Sequence, residues 1–324
     1  MNKPAPRQSI TRSAAPLKTG RLSRLWYRLR TINIGRGMVI TIPSLWLGVF
    51  FFIPFLVVFK ISLSDAAIAI PPYSAMFDWN PEEAYLTLKA SFSNYLFLFQ
   101  NDFYLDAYLS SLRIAAVSTV ITLILGFPIA YMIARSQPTM RTLLLSLVIL
   151  PFWTSFLLRV YAWIGLLKKN GVINEFLLST GLIDQPLTML QTDFSVYIGI
   201  VYTYLPFMVL PLYTTLEKMD LSLLEAAEDL GAKPYQTFFL VTLPLAMPGI
   251  VAGCLLVFIP AVGEFVIPSL LGGSDTLMIG RVLWDEFFLN RDWPMASAVA
   301  IVMLIMLVGP IMYMRKRNER EDMS

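Results

Sequence analysis

The sequence predicts an all-α, polytopic membrane protein with about six transmembrane helices. Hydrophobic residues make up 56% of the chain, its mean hydropathy is +0.64, and only 15% of its residues are charged. A typical soluble domain has about 25% charged residues. Six apolar segments are long enough for the ~20 residues that span a bilayer. They lie at about 39–61, 112–134, 143–167, 194–216, 245–270 and 294–314.

The sequence lacks the residues and motifs that several common classes of enzyme need. The chain contains no histidine and one cysteine, Cys254, which excludes the usual Cys/His zinc sites. It also lacks the G-x-x-x-x-G-K-[ST], G-x-S-x-G and H-E-x-x-H motifs that bind nucleotides or serve common hydrolases. We therefore predict a protein that is not an enzyme and that holds no metal or cofactor of its own.

Residues 1–38 are predicted to form a basic cytoplasmic tail, because they carry nine Lys or Arg and no Asp or Glu. A secretory signal peptide is the competing interpretation. It is disfavoured because the apolar run that follows is as long as a full span and has no small-residue cleavage site. Nucleic-acid binding is disfavoured too, since a positive N-terminus is what orients a first membrane helix.

The distribution of basic residues predicts the orientation of the chain. With the N-terminus inside, the four cytoplasmic segments hold 17 Lys or Arg and the three outer segments hold 5. Cytoplasmic loops carry the excess of basic residues in membrane proteins. Both termini, including a C-terminal tail at 316–324, are therefore expected on the cytoplasmic side.

The first outer segment, about residues 62–111, is rich in acidic and aromatic residues. Two interpretations stay open. The segment folds against a protein partner, or it is a solvated loop whose stretch from Tyr95 to Phe99 rests on the membrane surface. A later outer loop places charged residues around Trp284 and Trp293. It is either a surface contact for a partner or ordinary solvated charge.

A polar stretch between the fourth and fifth apolar segments predicts a helical hairpin. Ser222 and Glu225 fit a capping box at the start of its first helix. Gly231 is placed to end that helix, Pro234 to open the next one and Pro244 to close it. The first helix is amphipathic, so its apolar face needs a surface that buries it.

Glu264 is the one acid well inside a predicted span. Burying an ionisable group there is costly, which makes it a functional candidate by default, here for a cationic substrate. Arg159 is the only base at comparable depth. Two interpretations remain open for both residues: they form a structural ion pair with each other, or they contact the substrate.

Aromatic residues cluster near the same depth. Rings of tyrosine and tryptophan bind ammonium groups through their faces, whereas an interfacial aromatic belt is the alternative. Trp153 and Tyr204 lie deeper and favour the first interpretation, while the belt is favoured for Tyr161 and Trp163. The candidates for a substrate pathway are Glu264, Trp153, Tyr204, Tyr161 and Arg159.

The polar hairpin contains a motif of specific spacing. Glu225-Ala226-Ala227 is followed after three residues by Gly231, and after nine more by Val241-x-Leu243-Pro244. This motif is similar to the cytoplasmic loop of ABC importer permeases, with valine where isoleucine is usual. The stretches that resemble the permeases of polyamine importers, putrescine permeases most of all, lie at 148–163, 196–211, 258–268 and 278–284.

The resemblance implies the type I (MetI-like) importer fold and a permease subunit that moves putrescine or spermidine across a bacterial inner membrane. The permease domain would span 39–315, with the coupling loop at 217–244. The implied partners are a second permease subunit, a homodimeric ATPase that binds the ATP and Mg²⁺, and a periplasmic polyamine-binding protein. The residues that would dock on the ATPase are Glu225, Ala226, Ala227, Gly231, Leu243 and Pro244.

A different class of transporter remains as the alternative. In that hypothesis the chain is a stand-alone secondary transporter of an organic cation, with Glu264 as a proton-coupled carboxylate. The two hypotheses differ in one requirement. Loss of a partner ATPase abolishes uptake in the first and leaves it intact in the second.

Overall fold

The structure is a computed structural model that describes residues 34–80 and 85–321. Residues 1–33 of the predicted basic tail and residues 322–324 of the predicted C-terminal tail lie outside the described residues. The helices are α1 (Ile34–Leu47), α2 (Ile53–Ser62), α3 (Ser93–Gln100), α4 (Asp102–Arg135), α5 (Pro138–Ile149), α6 (Phe156–Leu167), α7 (Val172–Ser179), α8 (Asp193–Glu217), α9 (Ser222–Asp229), α10 (Pro234–Thr237), α11 (Leu243–Val262), α12 (Val266–Leu271), α13 (Ile279–Trp284) and α14 (Trp293–Glu321).

The chain divides into two compact units, Met1–Val57 and Val58–Ser324. In the first unit, α1 continues through a π-helical turn, Gly48–Phe52, into α2. None of the side chains described between residues 39 and 57 is buried, although the sequence there is strongly apolar. An apolar helix surface of this kind suits a lipid environment, where the backbone bonds all lie within the helix.

Three long helices, α4, α8 and α11, pack together as the core of the second unit. Met208 on α8 is completely buried between glycines of the other two helices. A Cβ atom on Gly253 would lie 2.7 Å from the Met208 sulfur, and one on Gly126 would lie 3.0 Å from Met208 Cγ. Small residues permit this approach, and close packing is the main attraction between helices in lipid.

The predicted membrane fold is confirmed. Four segments of the described chain are long and apolar enough to span a bilayer, namely Val39–Ser62, Asp102–Arg135, Asp193–Glu217 and Pro234–Val262. The pair Pro138–Trp153 and Phe156–Ser179 qualifies together but is bent by 92°. The last apolar helix, Trp293–Gly309, is shorter than these, so the six predicted segments correspond to four clear spans, one broken span and one short helix.

The third predicted span, 143–167, is not one straight helix. α5 ends at Ile149, and α6 leaves at 92° after the 3₁₀ turn Leu150–Trp153. The Pro151 carbonyl accepts hydrogen bonds from the backbone N–H (3.2 Å) and the hydroxyl (2.8 Å) of Thr154. Because proline has no N–H to continue the helix, the chain turns here. Both arms are apolar, so composition did not reveal the break.

The fifth predicted span, 245–270, differs at both ends. Helix α10 runs through a π-helical turn into α11 without interruption, so the segment begins at Pro234. The prediction that Pro244 closes the hairpin is therefore wrong. Pro244 lies in the first turn of α11. The preceding π turn changes the bonding pattern where the proline N–H is missing. At the other end α11 stops at Val262, and α12 is a separate helix.

The segment between α2 and α4 folds against its own chain. Its strands form an antiparallel hairpin, β1 (Phe77–Asn80) and β2 (Tyr85–Leu88). The Asn94 side chain on α3 donates to the carbonyls of Ser62 (3.1 Å) and Ser64 (2.8 Å), and the hydroxyls of Tyr95 and Ser62 are 2.7 Å apart. Asn94 thus satisfies carbonyls that the end of α2 leaves free. The partner and membrane-surface interpretations of this segment both stay predictions.

Candidate functional site

Gly231 ends the first helix of the coupling loop, as predicted. Its φ of +84° lies in the left-handed region that glycine adopts without steric cost. The Gly231 N–H donates to the Glu228 carbonyl (2.8 Å), and the Ala232 N–H donates to the Ala227 carbonyl (3.0 Å). This pair of bonds is a Schellman motif, which reverses the chain directly between α9 and α10.

The predicted capping box of Ser222 and Glu225 is wrong. Ser222 is already the first residue of α9, and its backbone N–H donates to Asp220 Oδ1 at 3.0 Å. That hydrogen bond lowers the pKa of Asp220. Sequence reasoning missed this role of Asp220, although Asp is a preferred N-cap residue and helix starts are defined only to within one or two residues.

Several apolar side chains of the coupling loop are exposed in the described chain. Leu230 is 89% exposed, and Leu223 is about half exposed. Glu225 and Ala226 are exposed as well, while Ala227 is half-buried. Leu243 packs against the core at the edge of a buried cluster, whereas Pro244 is exposed. An exposed apolar patch beside acidic residues is typical of a protein-interaction surface.

Glu264 occupies the break between α11 and α12 and is only 8% exposed. Its Oε1 accepts the backbone N–H groups of Val266 (3.1 Å) and Ile267 (3.5 Å), and its Oε2 accepts the hydroxyl of Tyr204 at 2.6 Å. The carboxylate therefore caps the N-terminus of α12, where a negative charge is favourable.

Arg159 does not pair with Glu264. The two side chains are described, and the structure has no ion pair between them within 4.0 Å. The guanidinium carbon of Arg159 lies 5.8 Å from the ring centroids of both Phe152 and Phe156. Its Nε and Nη1 atoms are buried without a hydrogen-bond partner. The ion-pair interpretation is therefore wrong, and the hydrogen bonds of the Glu264 carboxylate go to Tyr204 and to the α12 backbone.

The predicted pathway residues are linked by aromatic rings rather than by charge. Phe152, beside Arg159, packs edge-on against Phe207 at 5.2 Å, and Phe207 lies 6.0 Å from Tyr204. Tyr204 in turn bonds Glu264. Phe152 and Phe207 were missed by sequence reasoning. Phe207 could have been found from its spacing, because it lies three residues after Tyr204 and therefore on the same face of the helix.

The other predicted aromatics lie apart from this row. Trp153 is 83% exposed and Tyr161 is 56% exposed, whereas Glu264 is buried. Trp163 packs edge-on against Tyr202 at 5.5 Å. The structure therefore brings together Glu264 and Tyr204, and joins Arg159 to them through Phe152 and Phe207.

Helix α13 braces the break that holds Glu264. A Cβ atom on Gly280 would lie 2.6 Å from the Glu264 carbonyl oxygen, so the two backbones are in direct contact. The Ile279 N–H donates to the buried Ser111 hydroxyl of α4 at 2.7 Å. Phe265 stacks on Trp284 with centroids 4.4 Å apart and an interplanar angle of 8°. Glu264 is thus held from both sides.

Gly280→Ala is expected to destabilise the protein, because the added methyl group meets backbone that cannot rotate away. Overpacking of this kind costs about 1–3 kcal/mol. The thermal unfolding midpoint of the purified protein in detergent measures the effect. Gly165→Ala is the matched control, because nothing lies within 4 Å of a Cβ at that glycine. Equal midpoints for the two variants would contradict the bracing role.

Two acidic residues of the outer loop form hydrogen bonds within this chain. Glu286 accepts hydrogen bonds from the Tyr104 hydroxyl (2.7 Å) and the Asn290 side chain (2.9 Å). Asp292 Oδ1 accepts the Met295 N–H at 2.9 Å and caps α14. Both acids therefore stabilise the local structure of this chain. Their contact with a partner stays a prediction.

One family model and two named relatives match this chain. Residues 123–315 match the family model described as "Binding-protein-dependent transport system inner membrane component". The chain is 45% identical over 226 residues to the spermidine/putrescine transport system permease protein PotB of Haemophilus influenzae, covering 70% of this chain and 79% of the relative. It is 41% identical over 270 residues to PotB of Escherichia coli K12, covering 83% and 92%.

The fold is similar to that of chains in two solved structures. A chain in the crystal structure of a bacterial ABC transporter involved in the import of the acidic polysaccharide alginate matches with a TM-score of 0.66 and 16% identity, over 92% of this chain and 99% of that one. The same alginate transporter in complex with a pentasaccharide-bound periplasmic protein matches with a TM-score of 0.65 and 16% identity, over 90% and 95%. At this identity the likeness concerns the fold alone.

The matched family region contains the coupling loop, the broken span and the Glu264 break. It covers more than half of the chain, and the relatives cover most of the remainder. The chain belongs to the family of inner-membrane permease components of binding-protein-dependent transport systems.

Proposed function

We propose that this chain is a permease subunit of an ATP-driven importer whose substrate is a polyamine, putrescine or spermidine. The observation that carries the substrate class is the 41% identity to a spermidine/putrescine permease across 92% of that relative. The buried Glu264 carboxylate suits a cationic passenger, because it is a fixed negative charge at a break in a membrane helix.

The proposed partners are a second permease, a homodimeric ATPase and a periplasmic polyamine-binding protein. Two features support the ATPase. The exposed apolar face of α9 has no cover in the described chain, and the sequence contains no nucleotide-binding loop. In this proposal the coupling loop and both termini are cytoplasmic, as the distribution of basic residues predicts.

The proposed substrate pathway runs along the row of rings that ends at Glu264. A carboxylate offers about four lone-pair sites, and the three hydrogen bonds to Tyr204, Val266 and Ile267 leave one for an ammonium group. Phe152, Phe207 and Tyr204 would contact the methylene chain and the charge through their faces. Trp153 and Tyr161, which are exposed, would belong to the pathway only where a partner subunit completes it.

The chain would contribute alternating access and no catalysis. ATP and Mg²⁺ would bind the partner ATPase, and closure of the ATPase dimer would move α9 and open the pathway on the other side. A ligand shifts such an equilibrium only through different contacts in the two states. The proposed difference is access to Glu264.

Uptake by the complete reconstituted complex tests the proposal. Labelled putrescine should enter proteoliposomes only with ATP and the binding protein, and unlabelled spermidine should compete while an anionic sugar such as alginate should not. A complex whose ATPase cannot hydrolyse ATP should show no uptake. Uptake driven by a proton gradient without ATP would instead identify a secondary transporter.

A further inference from the structure

One side chain at the base of the coupling loop connects three helices. Arg141, in the first turn of α5, forms an ion pair with Glu217, with Nη1 and Oε1 2.6 Å apart. Its Nη2 donates to the carbonyls of Ala134 (3.2 Å) and Ser136 (3.4 Å). The guanidinium therefore joins the end of α4, the start of α5 and the end of α8.

Two of the three acceptors of Arg141 are backbone carbonyls at the end of α4. The Ala134 carbonyl belongs to the last turn of α4, which has no partner within that helix. A cation near a helix C-terminus is also favoured by the helix dipole, and Arg141 lies at the ends of both α4 and α8. The fork of donors on arginine serves the three acceptors at once, which a lysine ammonium does less well.

Glu217 connects this group to the coupling loop. It is the last residue of α8, and only four residues separate it from Ser222, where α9 begins. Asp220, within that connection, is itself bonded to the Ser222 N–H. Because the connection is short and hydrogen-bonded, a displacement of α9 also displaces Glu217.

We infer that Arg141 is the positioning residue that transmits movement of the coupling loop to the α4–α5 pair. This inference rests on the proposed function, in which an ATPase binds the loop. Side-chain exposures of 28% for Arg141 and 36% for Glu217 place the pair partly in solvent, where an ion pair adds little stability. Its contribution is geometric: it makes α4, α5 and α8 move with α9 as one body.

Rates of the complete complex in proteoliposomes test this role. For Arg141→Ala, the co-purified ATPase and its basal hydrolysis rate should stay within about twofold of wild type. Stimulation of hydrolysis by the substrate-loaded binding protein, and putrescine uptake, should fall about fivefold to tenfold, since residues in one hydrogen-bond network are energetically coupled. Arg141→Lys should retain part of the stimulation because it keeps the charge.

The double variant Arg141→Ala/Glu217→Ala separates a connected pair from two independent residues. If the two residues act as a unit, the double variant should be no worse than either single one. Arg135→Ala is the matched control, because this neighbouring guanidinium lies 5.2 Å over the Tyr131 ring instead of at the α8 end. It should leave stimulation unchanged.

Three results of the rate measurements would overturn the inference. These are wild-type stimulation in Arg141→Ala, single effects that multiply in the double variant, and an equal loss in Arg135→Ala. Loss of ATPase co-purification in Arg141→Ala would also overturn it, because the residue would then be needed for assembly. If the wild-type complex never contains an ATPase, the proposed function itself has failed.

Discussion

Gly231→Val is expected to lower uptake by about tenfold or more. A side chain at φ +84° is strained by about 1–2 kcal/mol, and a β-branched one more so. Relief of that strain would break the Schellman bonds and turn α9 away from α10. Since the proposed ATPase surface consists of these two helices, the same variant should also lose co-purified ATPase. Uptake of labelled putrescine and quantification of the ATPase measure both effects.

The matched control for this prediction is Gly181→Val. Gly181 has φ +69°, and no atom lies within 4 Å of a Cβ there, so the substitution imposes similar backbone strain on a different loop. It should leave uptake within about twofold of wild type. If both variants lose uptake equally, backbone strain alone explains the result and the coupling loop has no special role.

Glu264→Gln is expected to reduce the maximal uptake rate by about tenfold or more while the complex still assembles. Glutamine keeps a carbonyl oxygen for the Val266 and Ile267 N–H groups, so the cap on α12 survives, but the negative charge that would attract an ammonium group is lost. A charge-assisted hydrogen bond is about twice as strong as a neutral one. Initial rates over a range of putrescine concentrations measure the loss.

Two further variants separate a substrate role for Glu264 from a structural one. Glu264→Leu removes both charge and cap, and leaves buried N–H groups unsatisfied at a cost of about 1–3 kcal/mol each, so it should impair assembly. Tyr204→Phe removes one hydrogen bond at Oε2 and should have a smaller effect. Normal uptake in Glu264→Gln with failed assembly in Glu264→Leu would show that the carboxylate only caps α12.

The features that depended on local composition and spacing were predictable. The apolar segments followed from hydropathy, and the end of α9 at Gly231 followed from the conformation that glycine alone adopts without cost. The breaks in two spans were not predictable in this way. Prolines occur throughout the apolar segments, and whether one bends a helix depends on which neighbouring groups satisfy the freed carbonyls.

The candidate site also combines features that the sequence predicts with features that it does not. Glu264 was identified from its charge inside an apolar segment, because burial of an ionisable group needs a reason. Of the two interpretations left open for it, the ion pair with Arg159 is wrong, since depth along a helix does not define the side of the helix that a residue occupies. Pro151 turns α6 away by 92°, and the bend carries Arg159 to the rings of Phe152 and Phe156.

By itself, the sequence determined that this chain is a helical membrane protein, that it carries the motif of an importer permease, and that one acid lies within its apolar segments. These properties belong to residue types and short spacings. Only the tertiary structure decided that Tyr204 and the α12 backbone hold that acid, and that Arg141 joins three helix ends. The Tyr204–Glu264 and Arg141–Glu217 contacts link residues 60 and 76 positions apart, and packing between helices, which no local pattern records, brings them together.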